Sequence, residues 1–230
     1  MKLKSEGVCK FCNKTFSSAT MSRHLQSCSE RKKSQEKEEK TGKIFLLRAQ
    51  AGPFFVYFEV KASAPLKDVD EFLRELWLEC CGHLSAFTIN KVRYELDTGG
   101  VDAMWPNIFG RAHPTQSMNA RLYSVLSPDL RFLHEYDFGS TTRLDMMCIS
   151  ERQGALKKIE ILARNDLPDF VCKSCGKPAK EVCTECLYDG TGFLCEKCAK
   201  KHKCGEDMLL PVVNSPRMGV CGYTGNRDDW

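Results

Sequence analysis

Residues 172–204 read CKSCGKPAKEVCTECLYDGTGFLCEKCAKKHKC and contain three Cys-x2-Cys pairs followed by a His-x-Cys pair. Two thiolates separated by two residues on a tight turn can face the same ion, and four such ligands complete a tetrahedral zinc shell. The segment therefore predicts a module built around two zinc ions, each with four protein ligands and a structural rather than catalytic role. The predicted ligands are Cys172, Cys175, Cys183, Cys186, Cys195, Cys198, His202 and Cys204.

The division of these eight ligands between two ions is open at the level of sequence. In an interleaved arrangement the first Cys pair joins the third, and the second pair joins His202 and Cys204. This pattern resembles a B-box, although the gap between the second and third pairs is longer than in a usual B-box. A sequential arrangement is the alternative. Cys221 is a ninth candidate that could replace Cys204, because a single residue separates Cys204 from His202.

A second ligand pattern, C-x2-C-x11-H-x3-C, lies near the N-terminus. It resembles a zinc finger of the two-Cys, two-His type in which the last ligand is Cys, although the long gap is one residue shorter than the usual length of about twelve. Phe16 and Met21 fall where the small core of such a finger lies. The pattern predicts a third zinc ion in the chain. Its ligands are Cys9, Cys12, His24 and Cys28.

The predicted finger also has a candidate nucleic-acid surface. If its helix faces DNA, the exposed positions are Ser17, Thr20 and Arg23, of which Arg23 alone can form a bidentate contact with guanine. One finger covers about three base pairs, which is too few for specificity. A finger that contacts protein is an equally open alternative. The candidate phosphate contacts, which are insensitive to sequence and sensitive to salt, are Lys10, Lys14, Arg23, Arg31, Lys32 and Lys33.

The charge of the chain is concentrated in its N-terminal arm. The net charge is +4, and residues 1–42 carry 10 Lys and Arg against 5 Glu. This excess favours an anionic partner such as nucleic acid. Residues 29–42 contain no apolar residue, so they predict a solvated linker or an extension of the preceding helix.

Cysteine usage indicates the expected compartment. The chain has 14 Cys, but residues 1–6 do not form an apolar signal segment and no apolar run approaches the length of a membrane span. Paired Cys-x2-Cys spacing then favours metal binding in a reducing environment over disulfides. We therefore expect a cytoplasmic protein with no membrane association.

The segment between the two cysteine-rich ends predicts an α+β domain. Two β-rich runs flank the turn at Gly52-Pro53, a helix with an apolar stripe follows Pro65, and a second hairpin surrounds Gly139-Ser140. Met118–Leu126 predicts a short helix with Ser117 as its cap. We expect a small mixed or antiparallel sheet with one main helix, flanked by two zinc-stabilised modules. The expected units are a finger (1–28), a linker (29–42), the α+β domain (43–165), a double zinc module (170–206) and a Gly- and Pro-rich tail (207–230).

Two blocks within residues 43–165 resemble a known family. They are HLSAFTI at 83–89 and FLHEYDFGS at 132–140, and they are similar to the Ri-plasmid ORF-three-like family, which is related to passenger proteins of insertion elements. The resemblance implies an α+β fold, a prokaryotic origin and a link to mobile DNA, without an established activity. This chain has Ser-Thr-Thr at 140–142, where family members carry an acid and a Trp.

Together these patterns favour a non-enzymatic protein with three zinc ions that engages nucleic acid or a partner bound to nucleic acid. A protein–protein adaptor is the main alternative. An enzyme with a site near His134, Asp137 and the loop that contains Trp105 is a third hypothesis. Strand alternation predicts a packed, hydrogen-bonded His134 rather than a catalytic base. Cys80 and Cys81 are expected to be small apolar residues at a helix end.

Overall fold

The computed structural model describes residues 3–96 and 115–225, and it confirms the α+β class. Its main element is a ten-stranded sheet, and a separate three-stranded sheet lies in the C-terminal part. The strands of the large sheet are β1 (Glu6–Cys9), β2 (Thr15–Ser17), β3 (Gly42–Ala51), β4 (Phe54–Lys61), β5 (Ser85–Ile89), β6 (Val92–Glu95), β7 (Thr115–Ser117), β8 (Arg131–Tyr136), β9 (Thr142–Gly154) and β10 (Glu160–Asn165). Those of the small sheet are β11 (Glu181–Cys183), β12 (Phe193–Leu194) and β13 (Leu209–Pro211).

The large sheet has the order β2-β1-β10-β4-β3-β9-β8-β5-β6-β7, and its neighbouring strands are antiparallel except for β6 and β7. Both predicted hairpins are confirmed: β3 pairs with β4, and β8 pairs with β9. The turn between β3 and β4 places Gly52 at a φ of +54°, a conformation that glycine adopts without a Cβ penalty. The sheet is larger than the sequence predicts, because the two strands of the N-terminal finger extend it beyond β10.

Strand β4 is buried from Phe54 to Val60, on both faces of the sheet. This agrees with its nearly continuous apolar sequence, since a strand covered on one side only would alternate with polar residues. The main helix, α3 (Leu66–Leu73), covers one face and begins directly after Pro65, as predicted. It continues as a π-helical turn over Arg74–Leu78, which buries Trp77 completely.

The predicted helix from Met118 to Leu126 is wrong in its first half. The structure has the short helix α4 (Leu122–Val125), and Ser117 is the last residue of β7 instead of a helix cap. The reason lies in the backbone partners. The amide of Met118 donates to Glu95 O over 2.8 Å, and the Met118 carbonyl accepts from Lys67 N over 3.0 Å. These bonds to neighbouring elements hold Met118 in the turn that follows β7, outside a helix.

Three more helices complete the described secondary structure apart from a single 3-10 turn. Helices α1 (Ser18–Ser27) and α2 (Ser29–Glu36) follow one another with Cys28 between them. Residues 29–36 of the expected linker are thus helical, which is the alternative that extends the preceding helix. The short helix α5 (Glu196–Ala199) lies in the C-terminal module. None of the helices in the described residues has the length and apolar character that crossing a membrane requires.

Candidate metal centres

The described residues contain four groups of Cys and His whose ligand atoms lie within 4.8 Å of one another. Each group has four ligands and could hold a metal ion such as zinc. Three have three Cys and one His, and the remaining one has four Cys. We name them the finger site (Cys9, Cys12, His24, Cys28), the four-Cys site (Cys172, Cys175, Cys195, Cys198), the His202 site (Cys183, Cys186, His202, Cys204) and the tail site (Cys80, Cys81, His83, Cys221).

The finger site forms between a hairpin and a helix. Cys9 ends β1, and a tight turn brings back Cys12, with the amide of Asn13 donating to Cys9 O over 2.9 Å and a φ of +56° at Asn13. His24 lies in the last turn of α1, and its Nε2 is 3.3 Å from Cys12 Sγ. Phe16 stacks on the His24 ring with centroids 3.8 Å apart, which fixes the ring plane. Met21 is fully buried beneath it.

The ionisation of His24 suits a metal ligand. Burial lowers the pKa of His24, and the nearby positive charge of Lys14 lowers it further. Both effects disfavour the imidazolium form. A neutral imidazole with a free nitrogen lone pair is the form that coordinates zinc.

The finger is continuous with the central sheet. Strand β1 pairs with β10 from Gly7 opposite Asn165 to Cys9 opposite Ala163. A Cβ on Gly7 would lie 2.0 Å from the Arg164 carbonyl oxygen, so the close approach of the strands requires glycine here. This pairing could not be predicted from the sequence, because strand alternation is a local signal and the two strands are separated by more than 150 residues.

The C-terminal module holds the four-Cys and His202 sites in the interleaved arrangement. The first Cys pair meets the third, with 3.6 Å between Cys175 Sγ and Cys195 Sγ. The second pair meets His202 and Cys204, with Cys186 Sγ 3.4 Å from His202 Nε2 and 3.7 Å from Cys204 Sγ. The fourth ligand of the His202 site is therefore Cys204 and not Cys221, the alternative that the sequence left open.

Backbone amides at the four-Cys site favour thiolates. Burial alone would raise the pKa of Cys172, but hydrogen bonds from the amides of Cys195, Ser174 and Cys175 outweigh it and lower the pKa to about 6. The turn after Cys172 closes with the amide of Gly176, at a φ of +72°, donating to Cys172 O over 2.8 Å. Such a turn aims both sulfurs of a Cys-x2-Cys pair at one point.

The distances between ligand atoms fit a tetrahedral zinc ion. With Zn–S near 2.3 Å and Zn–N near 2.05 Å, ideal geometry separates two sulfurs by about 3.8 Å, and a sulfur and a nitrogen by about 3.6 Å. In the C-terminal module the measured Sγ–Sγ distances are 3.6 and 3.7 Å, and the Sγ–Nε2 distance is 3.4 Å. Thiolate and imidazole ligands in this arrangement suit zinc among the common metals.

The candidate phosphate contacts are not equally available. Arg31 is buried, and it donates to Leu25 O and to Glu59 Oε1 over 2.6 Å each, so its prediction as a phosphate contact is wrong. Lys10 is exposed but forms an ion pair with Glu160. Lys33 pairs with Glu30 over 2.9 Å on the surface of α2. The remaining candidates, Lys14, Arg23 and Lys32, are exposed.

The candidate catalytic residues of the central domain make structural contacts. His134 is fully buried, and its Nε2 lies 2.7 Å from Asp70 Oδ1 of α3. Asp137 accepts a hydrogen bond from the buried Arg217 over 2.5 Å and further bonds from the amides of Gly139 and Ser140. Burial raises the pKa of the Asp137 carboxyl, but these donors outweigh burial and lower it. The loop around Trp105 falls within residues 97–114, outside the described residues.

The tail site is the centre that the sequence analysis missed. Cys80 and Cys81, expected as apolar helix-end residues, lie beside His83 and meet Cys221. Local spacing gave no signal, because about 140 residues separate Cys221 from the other ligands. The one available hint is composition: all 14 Cys lie in the part of the chain that the structure describes, and Cys148 alone is outside the four groups.

No model of a known protein family matches this chain, and no curated protein matches it either. Among solved structures, the chain is similar to the crystal structure of MM3350 from Methanosarcina mazei Go1, a protein described as of unknown function. The TM-score is 0.41 at 14% sequence identity, and the alignment covers 52% of this chain and 67% of that chain.

Proposed function

We propose that this chain is a zinc protein without catalytic activity that uses its finger to bind nucleic acid. The finger site, the four-Cys site and the His202 site each hold one structural zinc ion. In all three, four protein ligands fill the tetrahedral shell, so no coordination position is left for a substrate. The observation that carries the zinc part of the proposal is the presence of three complete ligand sets, in each of which the four ligand atoms lie within 4.8 Å of one another.

The charge on the finger supports an anionic partner. Lys14, Arg23 and Lys32 are exposed cations on or beside α1 and α2. At the start of the finger helix, the hydroxyls of Ser17 and Thr20 lie 2.9 Å apart and form a hydrogen bond with each other, which leaves Arg23 as the side chain suited to a base edge. We therefore propose binding that depends mainly on phosphates and has little sequence preference.

The test measures binding of duplex and single-stranded DNA and of RNA by fluorescence anisotropy over a range of salt concentrations. We expect affinity to fall steeply with salt. The triple variant Lys14→Ala, Arg23→Ala, Lys32→Ala should reduce the slope of log K against log salt by about one unit for each phosphate interaction that it removes. The matched control replaces three exposed lysines of the C-terminal module, Lys173, Lys200 and Lys201. Equal weakening by both triple variants, or salt-independent binding, would contradict the proposed surface.

A protein–protein adaptor is the second candidate function. A shallow groove of about 460 Å³ on α1 is lined by Ala19, Ser22, Arg23, Gln26 and Ser27, and only one of these side chains is charged. A protein partner that stays bound after nuclease treatment, together with no affinity for any nucleic acid, would favour the adaptor.

A further inference from the structure

The fourth ligand group joins two distant parts of the chain. Cys80, Cys81 and His83 follow the π-helical turn that ends α3, whereas Cys221 comes from the C-terminal tail. We propose that this tail site is a fourth structural zinc site, which fastens the tail to the central domain. The proposal does not depend on nucleic-acid binding and stands whether or not the finger contacts DNA.

The sulfur atoms of the tail site have the spacing of the other centres, whereas its histidine nitrogen lies closer to the sulfurs than in those centres. Cys81 Sγ lies 3.6 Å from both Cys80 Sγ and Cys221 Sγ. His83 Nε2 is 3.2 Å from Cys221 Sγ and 2.9 Å from Cys81 Sγ. The sulfur separations are close to the value of about 3.8 Å for two thiolates on one zinc ion, and far from the length of about 2.05 Å of a disulfide bond. Three Cys and one His also form the donor sets of the finger and His202 sites.

The surroundings orient the histidine as a zinc ligand. Its Nε2 faces the sulfurs, and its Nδ1 faces Asp137 Oδ1 at 3.7 Å. Histidines that bind metal commonly direct their second nitrogen to a carboxylate, and Asp137 lies on that side of the ring, at a distance longer than a hydrogen bond. Asp137 is itself held by Arg217 of the tail, so the position of its carboxylate does not depend on the histidine.

Cationic and hydroxyl groups flank the Cys80 sulfur. Arg217 Nη2 lies 3.6 Å from Cys80 Sγ, and Tyr136 Oη lies 3.9 Å from it. Three thiolates and a neutral imidazole around Zn²⁺ give the site a net charge of −1, which the adjacent guanidinium helps to balance. These contacts give Arg217 and Asp137 a role around the site beyond their mutual ion pair.

Several residues at the tail site have a positive φ, a backbone conformation that residues with a side chain rarely adopt. Cys221 has a φ of +52°, which is uncommon for a residue with a Cβ, and Gly222 follows at +68°. On the other side, Gly82 has a φ of +76° and donates its amide to Glu79 Oε1 over 2.5 Å. These turns aim Cys81 and Cys221 at each other. The left-handed backbone conformation of Cys221 is explained if its sulfur is required as a ligand.

The first experiment counts metal. Purified full-length protein, prepared under reducing conditions, is expected to contain four zinc ions per chain by elemental analysis. Cys221→Ser should contain three. The matched control is Cys148→Ser, because Cys148 is the cysteine outside the four groups; it should retain four. His83→Ala should reproduce the loss of one ion through a different ligand.

The second readout is local. Cys221→Ser should increase amide hydrogen exchange in the tail around Val220–Tyr223 while leaving β11 and its zinc sites protected; this checks that the variant is folded. Three zinc ions in the wild-type protein, four in Cys221→Ser, or a Cys81–Cys221 disulfide in the reduced preparation would overturn the proposal. Absence of DNA binding would overturn the proposed function alone and leave this zinc count unaffected.

Discussion

The finger and the C-terminal module use similar ligands but differ in what surrounds them. In the finger, Met21 and Leu25 of α1 pack with Phe55, Tyr57 and Leu162 of the central sheet. The buried cluster around the C-terminal sites contains Cys172, Cys183 and Cys195, which are themselves ligands, with only Leu194 and Ala199 besides. An apolar core therefore supports the finger, whereas in the module metal coordination would have to supply much of the interior.

This contrast shows that the same donor set can serve two purposes. In the finger, a bound zinc ion would fix the end of a helix that apolar contacts already hold against a large sheet. In the C-terminal module, the opposite side packs on the central core through Phe170 and Val182, but the ligand loops have few apolar contacts of their own. Loss of metal should thus affect the two regions to different extents.

The largest expected effect comes from removing one ligand in each region. Cys183 and Cys9 are both fully buried ligands, so Cys183→Ser and Cys9→Ser form a matched pair. Structural zinc contributes about 10–16 kcal/mol in small zinc-folded peptides. We expect Cys183→Ser to abolish exchange protection over α5 and the ligand loops, because they have few apolar contacts of their own, and to leave β11 partly protected, because Val182 packs on the central core. We expect Cys9→Ser to lose protection near the finger turn while Leu25 and its neighbours stay protected.

Hydrogen exchange with mass spectrometry, read peptide by peptide, separates these outcomes. Zinc content should fall in both variants. If Cys9→Ser unfolds residues 6–36 as completely as Cys183→Ser unfolds α5 and the ligand loops, then the apolar support inferred for the finger does not exist.

A second prediction tests the ionic part of the finger's docking. Glu59 of β4 accepts from Arg31 of α2 over 2.6 Å, and Arg152 of β9 binds both of its carboxylate oxygens. The side chains of Glu59 and Arg31 are 2% and 6% exposed. Glu59→Gln leaves the buried Arg31 without its counter-ion, whereas Arg152 keeps its ion pair with Glu38, and should cost about 3–5 kcal/mol of unfolding free energy. The control is Glu151→Gln, whose partner Lys43 and carboxylate are both exposed.

The pH dependence of this effect has a defined sign. Burial raises the pKa of Glu59, but hydrogen bonds and charge from Arg152 and Arg31 outweigh burial, so the pKa in the folded protein is lowered from 4.5. A lowered pKa contributes stability that is present above pH 4.5 and is lost as pH falls through the folded value. Denaturant titrations at several pH values should show the difference between wild type and Glu59→Gln shrinking below pH 4.5. A difference independent of pH would show that the carboxylate charge is not responsible.

Sequence predicted the features that depend on residues close together in the chain and missed those that depend on distant residues. Cys-x2-Cys spacing and the turn at Gly52-Pro53 act within a few residues, so they indicated ligand pairs and a hairpin. The ion-pair partner of Arg31 lies 28 residues away, and the partner ligands of Cys221 lie about 140 residues away. No local pattern distinguishes a lysine or arginine in a solvated arm from one that reaches a buried glutamate. The charge-rich composition of residues 29–42 therefore concealed a structural arginine.

The tail site was not predicted from the sequence for the same reason, since its ligands come from distant parts of the chain. Adjacent cysteines such as Cys80-Cys81 match no common ligand spacing, and their apolar neighbours Leu76, Trp77 and Leu78 favoured a packing role. The third cysteine of the site, Cys221, comes close to them only in the folded chain. Long-range ligand sets are thus assembled by the fold, whereas the other three sites depend on ligands within 33 residues of sequence.

The smallest expected effect concerns the surface contact between the finger and the central sheet. Lys10 forms an ion pair with Glu160 of β10, and these side chains are 51% and 36% exposed. Solvent and salt screen such a pair, so Lys10→Ala should change the unfolding free energy by about 0–1 kcal/mol. Denaturation in low and high salt checks this, with Glu59→Gln measured alongside. A loss for Lys10→Ala as large as that for Glu59→Gln would mean that exposed charge, rather than buried contacts, attaches the finger to the sheet.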